Sequence, residues 1–197
     1  MTRRILRPKT SLVAMAAATL VAAAAACGTL TGVPASLPTI TDSGVVYAIN
    51  GAPPGAPSSL HMYSGTLLAA DANFIFDVAF DINTAGNVVV LPQRAVASGL
   101  ASTHTVALQT VNSTFEALTS APKNGYRADT AVVTSVGQVI LVQSQDPNAC
   151  STSLTGTTLY GKIIVTAIDP KARTLTIRYT TDPNCGFFSF ASGIPKE

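Results

Sequence analysis

Histidine is the side chain from which acid–base, nucleophilic or metal chemistry near neutral pH most often starts, and this 197-residue chain has two, His61 and His104. They lie in separate hydrophobic stretches, among ten carboxylates and three cysteines in all. A catalytic centre needs a base, an orienting carboxylate and a nucleophile within hydrogen-bond reach in one cleft, and no local spacing here supplies that. A Gly-x-Ser-x-Gly elbow, a phosphate-cradling glycine loop, a dinucleotide fingerprint and His-Glu-x-x-His are all absent. Ser120-Ala121-Pro122-Lys123 has the spacing by which a lysine on the next helical turn activates a serine, but Pro122 breaks that helix. Asp81-Ile82-Asn83-Thr84-Ala85-Gly86 resembles half of a calcium loop. Ala85 replaces an oxygen ligand there, and Pro92 stands where a bidentate Glu must close the sphere. Asp77 and Asp81 share one face of a predicted strand about 13 Å apart, too far to share a proton or one small metal, and read as a solvated face. No catalytic residue, cofactor or metal ligand is therefore expected, and both histidines read as structural or surface groups. A histidine meeting an Asp and a Ser or Cys in one concave pocket would instead point to an enzyme.

What the sequence does carry is an address. Met1 to Thr10 holds four positive charges and no negative one, and Leu12 to Ala26 is apolar except for Thr19. This is the layout of a secretory signal peptide, residues 1–26. The run ends in Ala24-Ala25-Ala26-Cys27, which resembles the lipobox of bacterial lipoproteins, with Ala24 where that family usually has Leu. The resemblance implies that the Cys27 sulfur receives a lipid and that Cys27 becomes the new N-terminus. Two alternatives stay open. Ala24-x-Ala26 also suits ordinary signal peptidase, and the apolar run could stay uncleaved as an anchor, although a span of about 20 apolar residues is the usual requirement. On any of these readings the chain is exported, with its domain facing periplasm or exterior, and on two of them it is held to a membrane.

Removing the leader changes the charge. Four of the twelve basic residues (Arg3, Arg4, Arg7, Lys9) precede Cys27, leaving eight against ten carboxylates, a net charge of −2. With no basic run to neutralise a phosphate backbone, nucleic acid is excluded as the expected partner. Residues 27–44 mix Gly, Pro, Ser and Thr without periodicity and read as a flexible tether. Residues 45–197 then show period-two patterning. Phe74, Phe76, Val78, Phe80 and Ile82 alternate with Ile75, Asp77, Ala79 and Asp81, and a turn at Asn83–Asn87 leads into Val88–Leu91. A second hairpin joins Leu159–Ile168 to Thr174–Thr180. Further strands are predicted at Val45–Ile49, Leu60–Leu68, His104–Val111, Thr130–Val133 and Val139–Ser144, and no helix is predicted. Many short strands separated by Pro- and Gly-rich turns make the fold class all-β, a single antiparallel β-sandwich or β-barrel.

Asp146-Pro147-Asn148-Ala149-Cys150 and Asp182-Pro183-Asn184-Cys185 are two similar turns that each deliver a cysteine. In an exported protein Cys150 and Cys185 are expected to pair, clamping the ends of the C-terminal hairpin.

Val136-Gly137-Gln138-Val139 to Val142, Leu159-Tyr160-Gly161-Lys162-Ile163-Ile164-Val165 and Leu175-Thr176-Ile177-Arg178-Tyr179 resemble the all-β closing segment of several uncharacterised envelope lipoproteins. More distantly they resemble the haem-binding lipoprotein family of anaerobes, whose Tyr-Ala-Lys strand occupies a similar place. That likeness implies an all-β fold and admits a bis-histidine haem site, although no local motif maps its ligands onto His61 and His104. The leading expectation is a non-catalytic envelope lipoprotein. It would be held to the membrane by its N-terminus and act through a binding surface, as an accessory subunit on the periplasmic or outer face of a membrane complex would. A carrier of an apolar ligand or haem, and an enzyme of unrecognised type, are the alternatives.

Overall fold

The computed structural model describes residues 33–71, 75–97 and 104–196. The leader, Cys27, the first part of the tether (27–32) and Phe74 lie outside them. Hydrophobic alternation organises the rest into two antiparallel sheets. In chain order the elements are β1 (Ile40–Tyr47), β2 (Ser59–His61), β3 (Thr66–Leu68), β4 (Val78–Ile82), β5 (Val88–Pro92), a single helical turn α1 (Gln93–Val96), β6 (Thr105–Val111), β7 (Arg127–Ala128), β8 (Val132–Thr134), β9 (Val139–Gln145), β10 (Leu159–Asp169) and β11 (Thr174–Asp182). One sheet has the order β1-β11-β10-β9-β6-β7 and the other β3-β2-β4-β5-β8. The two pack face to face as a β-sandwich. Their shared core gathers Leu60, Val78, Phe80, Val90, Leu108, Ile140, Val142, Ile163, Leu175, Ile177 and Tyr179.

Alternation in β9 and β10 serves a second core rather than solvent. Ile140 and Val142 face the main core while Leu141 points the other way, and Leu159 and Ile163 face it while Tyr160 does not. On this outer side Leu141 and Tyr160 meet Ala121 and Phe190. The loop after β6 and the C-terminal segment thus cover the larger sheet, with Phe188 4.7 Å from Tyr160 between ring centroids.

Several local expectations change. The predicted strand Leu60–Leu68 is a hairpin, because Gly65 adopts φ +62° and a Cβ there would lie 2.7 Å from Ile40. The turn sends Met62 into the core, against β10. A Cβ at position 161 would overlap the Met62 methyl, so the strand needs Gly161 there. The first strand starts at Ile40, five residues before the expected Val45, by pairing along its whole length with β11. β4 has no solvated face: Val78 through Ile82 are all buried, as is Asp77. It is the central strand of its sheet, and the face expected to be wet is covered.

Candidate functional site

The groups that sequence left apart meet where the sheets face each other. Asp77 immediately precedes β4, His104 immediately precedes β6, and Ser144 lies on β9 directly opposite Val106. His104 Nε2 is 2.8 Å from Asp77 Oδ1 and 2.7 Å from Ser144 Oγ. The Ser144 hydroxyl donates to the same Asp77 oxygen. Asp77 Oδ2 accepts the Met62 backbone N–H at 2.5 Å, and its main chain bonds Leu60 and Gln93 at 3.0 and 2.9 Å. One carboxylate therefore ties β2, β4, β6 and β9 together across the sandwich. Burial alone would lower the His104 pKa. The hydrogen bond and charge of Asp77, with the fields of Asp146 and Asp129, outweigh it and raise the value above the ordinary 6.5.

This constellation has the residue types of a nucleophilic triad but not its wiring. In a triad the imidazole holds the acid with one nitrogen and takes the serine proton with the other. Here one nitrogen faces both partners, and the serine proton points at the carboxylate. Asp77 and Ser144 have no exposed surface. The arrangement fastens the sheets.

A second buried polar centre sits on the outer face of the larger sheet. Lys162 of β10, 5% exposed, donates to the carbonyls of Phe115 and Leu118 at 2.5 and 2.8 Å. Its ammonium stands 4.2 Å from the Phe115 ring centre and 5.5 Å from that of Phe190. Arg178 also lies over the Phe115 ring, 4.6 Å from its centre, and pairs with Glu116. Burial, aided by the Arg178 charge and opposed by Glu116, holds the Lys162 pKa below its ordinary value.

The third cluster is the disulfide end. Cys150 and Cys185 are bonded, with Cα atoms 5.8 Å apart. Asp146 Oδ1 accepts the Asn148 and Ala149 N–H groups, and Asp182 Oδ1 accepts the Asn184 N–H, so both turns close through their aspartates. Asn184 does more. Its Oδ1 accepts from Ser36 N and Leu37 N at 2.9 and 3.0 Å, and its Nδ2 donates to the Leu37 carbonyl at 2.8 Å. Thr39 N then bonds Gly193 O at 2.9 Å. From Ser36 onward the expected tether is thus fastened to the domain. Asp182 is fully buried and its Oδ2 has no partner among the described residues. Burial raises its pKa against the opposing bonds from Asn184.

The remaining sequence candidates disperse. His61 bonds Ser64 in its own hairpin turn through Nδ1 at 2.8 Å, a network separate from that of His104. Ser120 bridges Ser189, whereas Lys123 stands over Phe188, so the Ser-x-x-Lys spacing brings no pair together. Asn83 Oδ1 caps the 83–87 turn by accepting from Ala85 and Asn87. Asp81, expected to be solvated, is buried and paired with Arg173 at 2.9 Å. The overlooked signal for Asp77 was a carboxylate beside a strand with a hydrophobic residue at nearly every other position, in a chain with few charges. Among the described residues no three His, Cys, Asp or Glu groups cluster closely enough to hold a metal ion, and no helix is long and apolar enough to cross a membrane. Cys27 lies outside the described residues. Comparison with protein families, curated proteins and solved structures finds no match to this chain.

Proposed function

We propose that this chain is an exported lipoprotein, anchored through Cys27, whose sandwich acts by binding a protein partner at the membrane rather than by chemistry. The observation that supports the binding reading is that Asp77, Asp81 and Lys162, three of its buried ionisable groups, are already engaged by neighbouring groups. Asp77 serves His104, Ser144 and a backbone amide, Asp81 serves Arg173, and Lys162 serves two carbonyls. A catalytic site would hold such groups facing a cleft. Intact-mass spectrometry of protein purified from membranes tests the anchor: a chain beginning at a lipid-modified Cys27 is expected, and an unmodified chain beginning at Met1 would replace it with an uncleaved anchor.

The convergence of His104, Asp77 and Ser144 gives the enzyme alternative its one specific support. An alkyl fluorophosphonate, which labels activated serines, decides between them. No labelling is expected. Labelling that disappears in Ser144→Ala would make the protein a serine hydrolase.

A further inference from the structure

Four of the nine exposed large apolar side chains among the described residues gather at one place. Val33, Leu37, Tyr63 and Leu154 are 48, 41, 37 and 86% exposed, and all four line a single hollow of about 250 Å³ beside the disulfide. They come from different parts of the fold: the chain leading into β1, the β2–β3 turn and the loop after Cys150. No Lys, Arg, Asp or Glu is among the lining residues, which are otherwise Pro, Ala, Ser, Thr, Asn, Cys and Phe. Exposed apolar side chains gathered around a hollow whose lining carries no charged side chain suit a contact face.

Chain length says what that face meets. The Asn184 clamp fixes Ser36 and Leu37 to the domain, so the free tether is far shorter than the 27–44 stretch suggests. Five residues lie between Cys27 and Val33, and the six Cα–Cα steps reach at most about 20 Å when fully extended. We infer that this face, whose lining carries no charged side chain, rests on the lipid bilayer, with Leu154, Val33, Leu37 and Tyr63 in the interfacial layer. The inference rests on the proposal that Cys27 is lipidated. A lipid fixed at Cys27 leaves Val33 no room to move further than that reach from the bilayer surface. Tyrosine is a side chain suited to the headgroup level, and insertion of apolar side chains into the headgroup boundary needs no basic residues. Because the face has no charge, its contact with lipid does not depend on anionic headgroups.

The chain contains no tryptophan, so a single introduced indole reports without background. Full-length protein carrying Leu154→Trp, and a second carrying Val133→Trp, are purified from membranes and reconstituted in phosphatidylcholine vesicles, with and without brominated acyl chains. Val133 is also exposed, at 59%, but lies in a different hollow lined by Gln109, Thr110 and Arg127. Both proteins are expected to float with the vesicles. Brominated lipid should quench the indole of Leu154→Trp several-fold more than that of Val133→Trp, equally at low and high salt and with or without anionic lipid. Flotation with equal quenching of the two indoles overturns the docking face while leaving the anchor standing. Flotation in which native membranes shield the Leu154→Trp indole from aqueous acrylamide, but brominated lipid does not quench it, assigns the face to a protein partner and overturns lipid contact. Failure to float overturns the anchor and the docking face together.

Discussion

The two buried polar centres, Asp77–His104–Ser144 between the sheets and Lys162 outside the larger one, solve the same problem in opposite ways. Each places an ionisable nitrogen where water is scarce, and burial disfavours charge at both. His104 has a full negative charge at 2.8 Å, and its pKa is raised despite burial. Lys162 has neutral carbonyl oxygens and aromatic faces, and with Glu116 held mainly by Arg178 its pKa falls. Dipoles and rings make a buried cation tolerable, whereas a carboxylate makes it preferred. The first centre also joins four strands of two sheets, while the second joins one strand to a covering loop. Their contributions to stability should differ accordingly.

The sharpest way to break this comparison is Asp77→Ala. It removes three accepted hydrogen bonds at once and leaves Ser144, the Met62 amide and His104 facing a small apolar space. A buried donor left unsatisfied costs about 1–3 kcal/mol, so after partial relaxation we expect a loss of about 3 kcal/mol. Urea unfolding of membrane-purified protein measures it. A loss too small to move the midpoint would mean that the sheets are held by apolar packing alone and that the carboxylate is incidental.

Lys162→Met asks the same question of the other centre. Methionine keeps most of the stem volume against Phe115 and Phe190, and replacing a buried cation by an apolar side chain is often close to neutral. The Phe115 and Leu118 carbonyls lose a donor, so the net change should stay within about 1 kcal/mol of wild type. If Lys162→Met proves as damaging as Asp77→Ala, carbonyl and ring contacts hold a cation as firmly as a carboxylate does, and the contrast between the centres fails.

The distinction also marks where the sequence was legible. The hairpins at 78–92 and 159–182 and the all-β class follow from alternation and turn residues, which are local, whereas the Cys150–Cys185 pairing, 35 positions apart, follows from the oxidising compartment that the leader implies. Asp77 is different. Alternation assigned it to the wet side of its strand, because period two says which residues share a face but not whether a second layer covers that face. Its partners lie 27 and 67 positions away, beyond any local signal. The outer core failed to show for the same reason. Period two leaves open what covers the side on which Leu141 and Tyr160 lie, and only the path of the 112–131 and 186–196 segments turns that face inward. The docking of Ser36 and Leu37 is equally hard to read, because it runs through their main-chain groups to Asn184, far away in sequence, about which local composition says nothing.

The smallest effect expected is a dependence on pH. The folded protein binds the His104 proton more tightly than the unfolded chain does, since the pKa is raised above 6.5. The resulting stabilisation is complete below that ordinary value and is lost as pH rises through the raised one, so stability should decline with rising pH above 6.5. Asp77→Asn keeps the shape and removes the charge that raises the pKa, so its stability curve should be flatter over the same range. Lys162 carries the opposite sign. A depressed lysine pKa means that the folded state sheds its proton first, so its share favours folding as pH increases toward the ordinary 10.5, and Lys162→Met removes it. Asp182 has the same sign as His104, starting from 3.8, and Asp182→Asn takes it out of the curve. Thermal melts of these variants from mildly acidic to alkaline pH separate the contributions. The charge-paired account of His104 predicts that only Asp77→Asn, and not Asp182→Asn or Lys162→Met, abolishes the decline that begins near 6.5. A decline that persists in Asp77→Asn would mean that the Asp77 charge is not what raises the His104 pKa.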